Sequence, residues 1–216
     1  MKKEHGSNLF ALRKRATPAL SLIVWLFLAF SVPDVHAQIP QRDVWQQPVK
    51  IMDSLGIRPG MVIGEAGAGT GYFTFHLSKR VGENGTIYAN DIDTKALQKI
   101  EGRCSDEGVR NIVTVTGAVD DPLFPAGKLD GVVIMMAFHD FEKPVEWMKN
   151  VMPALRPGAF LAIIDPDPEK INRDRDHFWT KEKVLATMAK TEFKLVRLFT
   201  FLERDNIYLY KLNEMR

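Results

Sequence analysis

A short apolar segment that runs directly into a glycine-rich turn constrains the fold of this chain more than any other feature. Residues 61–65 have the length and the apolar character of a buried strand. Three glycines follow at alternate positions: Gly67, Gly69 and Gly71. Beyond them, three apolar residues recur at the spacing of one helix face: Phe73, Leu77 and Val81. A strand, a glycine turn and a helix in this order are the first half of a βαβ unit.

The rest of the chain alternates strand and helix patterns. Helices are predicted over residues 43–55, between the glycine turn and Gly82, from near residue 94 with Leu97, Ile100 and Cys104 facing inward, over about 142–155, and after residue 180. Strands are predicted at 61–65, 86–90, 112–116, 131–136, 159–165, about 193–201 and about 206–212. Continuously apolar strands separated by helices favour a parallel sheet covered on both faces. Only about five residues, centred on 204–206, join the last two strands, too few for a crossover helix. We therefore expect an α/β fold: a doubly wound, mostly parallel seven-stranded sheet with a C-terminal antiparallel hairpin.

Size and composition limit the fold to one domain, residues 38–216. The chain is 45% hydrophobic and 26% charged, which excludes disordered, collagen-like and coiled-coil proteins. Its 29 basic and 27 acidic residues become 24 and 25 once residues 1–37 are set aside, so a nucleic-acid partner has no electrostatic support. The single cysteine, Cys104, can form neither an internal disulfide nor a thiolate metal site.

Residues 1–37 have the plan of a secretory signal peptide. A basic segment precedes an apolar run over residues 19–32, and Val35 and Ala37 place small residues at positions −3 and −1 of a cleavage site. As a helix, that run would reach about 21 Å, less than the roughly 30 Å hydrocarbon core of a bilayer. We expect a cleaved leader and an exported protein, periplasmic or secreted if bacterial. The alternatives are an uncleaved anchor, which would be the only membrane contact, and a helix buried on the domain.

The glycine turn is a candidate binding site. In doubly wound sheets, ligands bind beyond the carboxyl ends of the strands, where glycines let backbone amides approach closely. Glu65 lies two residues before the first glycine, and Asp91 follows the last glycine by twenty residues, where a carboxylate can accept both hydroxyls of a ribose. Tyr72 occupies a position that a dinucleotide fingerprint reserves for glycine or alanine. The alternative is a purely structural turn, with Asp93 capping the following helix.

These motifs resemble those of the class I S-adenosylmethionine-dependent methyltransferases, a Rossmann-like, seven-stranded family. Residues 62–71 are similar to the family's first motif, residues 129–134 to its fourth strand and residues 155–159 to the turn before its fifth, and the resemblance covers about residues 44–212. It implies a methyltransferase whose cofactor is S-adenosylmethionine. The cofactor-binding residues that it implies are Glu65, Gly67, Gly69, Gly71 and Asp91.

The family often has an acid after the third strand that holds the adenine amino group. The first candidate here is Ala118, which has no acidic side chain. Asp120 or Asp121 would serve from a slightly longer loop. Asp120 is therefore predicted as a further cofactor-binding residue.

The loop after the fourth strand, residues 135–141, is expected to face the transferable methyl group. His139 is its only base that titrates near neutral pH, and it would orient the acceptor or accept its proton, with Asp140 as a candidate orienting carboxylate. The alternative is a hydrogen-bonded structural histidine. His177 and His76 are weaker candidates. No two histidines share one helical turn, so metal dependence is disfavoured.

Three function classes stay open at this stage. They are an exported methyltransferase acting on a small molecule, a Rossmann-type NAD-dependent oxidoreductase, and a non-catalytic protein that binds a nucleoside or S-adenosylmethionine. Tyr72 argues against the second class, and the presence of both Glu65 and Asp91 argues against the third. Five aromatic side chains either wall an acceptor pocket or form the edge of the core: Trp45, Phe138, Phe141, Phe178 and Trp179.

Overall fold

The computed structural model describes residues 41–171 and 176–212. The helices in that part of the chain are α1 (Gln41–Gln46), α2 (Pro48–Ser54), α3 (Tyr72–Val81), α4 (Thr94–Glu107), α5 (Pro144–Val151) and α6 (Lys181–Met188). The strands are β1 (Val62–Ala66), β2 (Thr86–Asp91), β3 (Ile112–Thr116), β4 (Leu129–Met135), β5 (Leu155–Pro166), β6 (Phe193–Phe199) and β7 (Asp205–Leu212). The predicted signal peptide, residues 1–37, lies outside the described residues. None of the helices described here is long and apolar enough to span a membrane.

The seven strands form one sheet in the order β3-β2-β1-β4-β5-β7-β6. Strands β1 to β5 pair in parallel, whereas β7 runs antiparallel to both β5 and β6. The predicted fold class, including the terminal hairpin, is confirmed. The chain progresses from β1 outward to β3 and then returns to place β4 on the other side of β1. This reversal opens a crevice at the carboxyl ends of β1 and β4, where ligands of doubly wound sheets bind.

Helices cover both faces of the sheet because successive strand residues point to opposite sides. On one face, Val132 and Ile134 pack in a cluster with Trp147 of α5 and Met188 of α6. On the other, Val133 packs in a cluster that includes buried residues of α2 and α3. Each fully buried side chain of this size contributes about 1.5–3 kcal/mol through burial. The packed sheet therefore positions the polar groups of the candidate site, which lie at the carboxyl ends of its strands and in the loops that follow them.

Two predicted helices differ from the observed ones, and proline explains both differences. The helix predicted over residues 43–55 is two helices, since Gln47 adopts a left-handed conformation (φ 50°) immediately before Pro48. A residue that precedes proline is sterically disfavoured in the α-helical region. The helix predicted over residues 142–155 begins at Pro144 and ends at Val151, where a 3₁₀ turn containing Pro153 follows. Proline is tolerated in the first turn of a helix but disrupts its interior.

Candidate active site

A cavity of about 260 Å³ lies at the carboxyl ends of the central strands. The loops after β1, β2, β3 and β4 all contribute to its lining, which includes Gly67, Asp91, Ile92, Val119, Ala137 and Phe141. A larger depression of about 730 Å³, lined in part by Gly82, Thr86 and Asn111, lies at the amino end of β2. Ligands of this fold class bind at the carboxyl edge, so the smaller cavity is the candidate site.

The glycine turn has a left-handed backbone at each of its three glycines, with φ of 72° at Gly67, 53° at Gly69 and 91° at Gly71. A β-carbon at Gly67 would overlap that of Ala137, because the turn packs closely against the loop after β4. A β-carbon at Gly69 would meet nothing within 4 Å. The absence of a side chain at Gly69 thus keeps open the space above the turn, where a ligand can approach the backbone closely.

Asp91 holds its carboxylate at the cavity through two backbone amides. Its Oδ2 accepts a hydrogen bond from the N–H of Gly69 at 2.7 Å, and its Oδ1 accepts one from the N–H of Asp93 at 2.9 Å. Asp93 itself caps α4, since its Oδ1 accepts a hydrogen bond from the N–H of Lys95 at 2.8 Å. Asp91 therefore lines the cavity, whereas Asp93 caps α4. Each oxygen of Asp91 retains a lone pair for a ligand hydroxyl.

Glu65, in β1 below the glycine turn, is a buried acid. It is 2% exposed, and within the described part of the chain its Oε2 has no hydrogen-bond partner. Burial raises the pKa of Glu65 to about 8. Burying a carboxyl oxygen without a hydrogen bond destabilises the folded state unless a ligand or water donates to that oxygen. A cationic or hydrogen-donating group of a ligand would therefore fit here.

Arg42 of α1 lies near this acid and was missed in the sequence analysis. Its positive charge lowers the pKa of Glu65, although less than burial raises it. The guanidinium lies 3.6 Å from the centre of the Tyr72 ring and donates to Oε1 of Gln46 at 3.3 Å. No local pattern marks such an arginine, because only the packing of α1 against the start of α3 brings it to the glycine turn.

His139 lies in the 3₁₀ turn that follows β4, and Asp165 of β5 fixes its orientation. The Nδ1 of His139 lies 2.9 Å from Oδ1 of Asp165, and the backbone N–H of His139 donates to Oδ2 of Asp165 at 3.0 Å. The side chains are 3% and 2% exposed. Burial lowers the pKa of His139, but the hydrogen bond and the charge of Asp165 outweigh it and raise that pKa overall. The orienting carboxylate is thus Asp165, whereas Asp140 was the candidate expected from its position next to His139 in the sequence.

The other nitrogen of His139 points to a second group of polar side chains. Its Nε2 lies 3.4 Å from Oδ2 of Asp140, and the Nε2 of His177 lies 3.7 Å from Oδ1 of the same carboxylate. The rings of His177 and Phe178 pack edge-on against the imidazole of His139, with centroids 4.9 Å and 4.7 Å away. The structure therefore brings together two histidines that lie far apart in the sequence.

Other predicted candidates lie elsewhere. Asp120 is not among the residues that line the cavity, and its Oδ2 pairs with Nζ of Lys143 at 3.1 Å. Its role in cofactor binding stays a prediction. His76 lies 3.2 Å from Oδ1 of Asp43, on the side of α3.

The five aromatic candidates divide between core and site. Phe138 is fully buried, and the rings of Phe141 and Trp179 lie 5.5 Å and 5.3 Å from it. Phe141 also lines the cavity. Trp45 lies under the guanidinium of Arg204, at 4.5 Å from its ring centre. In the structure, Phe141 thus lines the cavity, Phe178 contacts the ring of His139, and Phe138 belongs to the core.

Comparison with known proteins adds an independent observation. Residues 63–158 match a methyltransferase domain. The chain is 28% identical over 114 residues to a ubiquinone/menaquinone biosynthesis C-methyltransferase of Laribacter hongkongensis, covering 53% of this chain and 46% of that protein. It is 27% identical over 119 residues to a nocamycin O-methyltransferase of Saccharothrix syringae, covering 55% and 42%. The chain thus spans about half the length of the curated relatives it matches.

Solved structures share the fold over more of the chain. A SAM-dependent methyltransferase from Aquifex aeolicus superposes with a TM-score of 0.75 and 22% identity, over 82% of this chain and 95% of that one. An S-adenosylmethionine-dependent methyltransferase from Mesorhizobium loti gives a TM-score of 0.61 and 15% identity, over 75% and 95%. These likenesses show the fold. The domain match and the curated methyltransferase relatives, which are similar to about half of the chain, imply S-adenosylmethionine as the cofactor.

Proposed function

We propose that this protein transfers a methyl group from S-adenosylmethionine to a small-molecule acceptor. The observation that carries the proposal is the carboxylate of Asp91, held by the amide of Gly69 at the edge of the cavity. Such a group binds the two hydroxyls of a ribose, and the open space above Gly69 admits the rest of a nucleoside close to the backbone.

The surroundings of Asp91 suit the two ends of this cofactor. Ile92 and Val119 line the cavity, and they remain 63% and 39% exposed although both are apolar. Burying these side chains against a flat adenine ring would remove apolar surface from water. At the other end, the Glu65 oxygen that has no hydrogen-bond partner among residues 41–171 and 176–212 suits the ammonium of the methionyl group, and Arg42 suits its carboxylate.

The acceptor side is assigned to the loop after β4. When bound, the cofactor supplies an electrophilic methyl group on a sulfonium, so a well-positioned acceptor needs no covalent help from the protein; positioning is worth about 7–11 kcal/mol. The imidazole of His139, held by Asp165, would orient the acceptor or take its proton. A histidine in this role suits a hydroxyl or an acidic carbon as the acceptor. The C- and O-methyltransferase names of the relatives agree with such acceptors.

Binding and turnover test this proposal separately. The full-length protein would be titrated by calorimetry with S-adenosylmethionine, S-adenosylhomocysteine and NAD. We expect the first two to bind and NAD to bind weakly or not at all. A preference for NAD would favour an oxidoreductase and overturn the assignment. Release of S-adenosylhomocysteine in the presence of a panel of phenols and quinols would then identify the acceptor, whereas binding without turnover on any acceptor would favour a non-catalytic binding protein.

We further propose that residues 1–37 direct export and are removed after Ala37. The support is the basic, apolar and small-residue order of this segment. Export would place the domain in a compartment where its cofactor has to be delivered. A retained leader would instead anchor the protein to the membrane.

A further inference from the structure

The side chains of His139, Asp140 and His177 form a cluster of potential metal ligands, which methyl transfer by itself does not require. One ligand-type atom of each residue lies within 4.8 Å of the others. We propose that these three side chains bind a divalent transition-metal cation of the zinc type at the edge of the cavity. Two imidazoles and one carboxylate suit such cations, and three protein ligands leave a coordination position open.

The distances within the cluster are close to those of metal ligands. Two atoms that each lie about 2.0–2.2 Å from a tetrahedral zinc ion are roughly 3.3–3.6 Å apart. Oδ2 of Asp140 lies 3.4 Å from Nε2 of His139, and Oδ1 of the same carboxylate lies 3.7 Å from Nε2 of His177. The side chains of His177 and Asp140 are 57% and 63% exposed. Both can therefore move by the small amount needed to bring a ring nitrogen of His177 to the same distance from Nε2 of His139.

Asp165 supplies a second, independent observation. Its Oδ1 lies 2.9 Å from Nδ1 of His139, and an ionised carboxylate can only accept, so this contact assigns the proton to Nδ1. In the neutral ring the lone pair is then on Nε2, the nitrogen that faces Asp140. Metal-binding histidines almost always donate their other ring N–H to a carboxylate or carbonyl in this way, since that bond fixes the tautomer and the ring orientation.

The position of the cluster connects it to the candidate site. Asp140 belongs both to the cluster and to the lining of the cavity. A cation here would lie where an acceptor hydroxyl could reach it, and would lower the pKa of that hydroxyl. Nε2 of His139 would then act as a ligand and not as a base. This catalytic consequence rests on the proposed function, but the binding of the cation does not.

Sequence spacing alone does not reveal this candidate metal site. His139 follows β4 and His177 precedes α6, so the two histidines share neither a helical turn nor a loop. The expectation that metal dependence is disfavoured used only such local spacings. The packing of the two loops, through the contact of the imidazole rings, creates the cluster.

Metal titration of the full-length protein tests the proposal without an acceptor. After treatment with a chelator, the protein would be titrated with Zn²⁺ by calorimetry and with Co²⁺ by absorption spectroscopy. We expect one ion per chain and the d–d bands of a four- or five-coordinate cobalt site. His177→Ala and Asp140→Asn should each weaken Zn²⁺ binding at least tenfold. The matched control is His76→Ala, another histidine beside an aspartate, which should bind Zn²⁺ as the unchanged protein does.

Two further measurements keep the result unambiguous. Asp165→Asn should weaken Zn²⁺ binding roughly 10- to 100-fold, as loss of outer-shell partners does in metal sites; if this buried substitution prevents folding, the two exposed-site variants still decide. Binding of S-adenosylmethionine by the same samples separates this proposal from the proposed function. The metal site is refuted if Zn²⁺ does not bind saturably, or if His177→Ala and Asp140→Asn both bind it within twofold of the unchanged protein.

Discussion

Replacing Asp91 by alanine should nearly abolish binding of S-adenosylmethionine without unfolding the protein. The carboxylate has one lone pair free on each oxygen after its bonds to the amides of Gly69 and Asp93. Two hydrogen bonds from ribose hydroxyls to a charged group are worth about 1.5–3 kcal/mol each. At about 1.4 kcal/mol per tenfold change, their loss corresponds to a dissociation constant roughly 10² to 10⁴ times higher. Isothermal titration of the full-length variant measures this directly.

Asp93→Ala is the matched control for this experiment. Asp93 is the next acid along the chain, two residues after Asp91, and its carboxylate caps α4 through the N–H of Lys95. Its removal should cost about 1 kcal/mol of folding free energy, as loss of a helix cap does, and should leave cofactor affinity within a few-fold. Thermal melting of both variants would separate the two effects. If Asp91→Ala binds S-adenosylmethionine within threefold of the unchanged protein, or if Asp93→Ala weakens binding as much, Asp91 is not the ribose-binding carboxylate.

Four other outcomes are expected. Gly69→Val should weaken cofactor binding in calorimetry, because its side chain would enter the open space above the turn and φ is 53° there; unchanged affinity would contradict that placement. Burial raises the pKa of Glu65 from 4.5 to about 8, so the folded chain holds a proton that the unfolded chain releases. The free energy of unfolding should therefore fall as pH rises from about 4.5 to 8, by up to about 1.4 kcal/mol per unit, and denaturant titration of Glu65→Gln should lack this component. His139→Ala should lower turnover by about 10² to 10⁴ while the cofactor dissociation constant stays within a few-fold; full activity would make His139 structural. Intact-mass measurement on protein from the native host should give a chain that begins at Gln38, and a mass that includes residues 1–37 would favour an anchor or a buried helix.

The sheet and the glycine turn could be predicted from the sequence because their determinants are local. Hydrophobic periodicity reports which face of a strand or helix is buried, and glycines at fixed offsets mark a turn. Parallel strands bring their carboxyl ends to one edge, so Asp91 could be assigned to the same site as the glycines without a structure. The register agrees: Ala66 pairs with Asn90 at the ends of β1 and β2.

Tertiary packing determines which side chains contact one another on the acceptor side of the site. Adjacency suggested Asp140 as the partner of His139, but the structure pairs Nδ1 of that ring with Asp165, 26 positions along the chain. Arg42 reaches the glycine turn through the packing of α1, and His177 reaches His139 through a contact between two loops. The direction of a loop side chain depends on the elements packed around it. Sequence periodicity therefore determines which residues lie at the carboxyl edge of the sheet, whereas only the packed structure determines which of them touch.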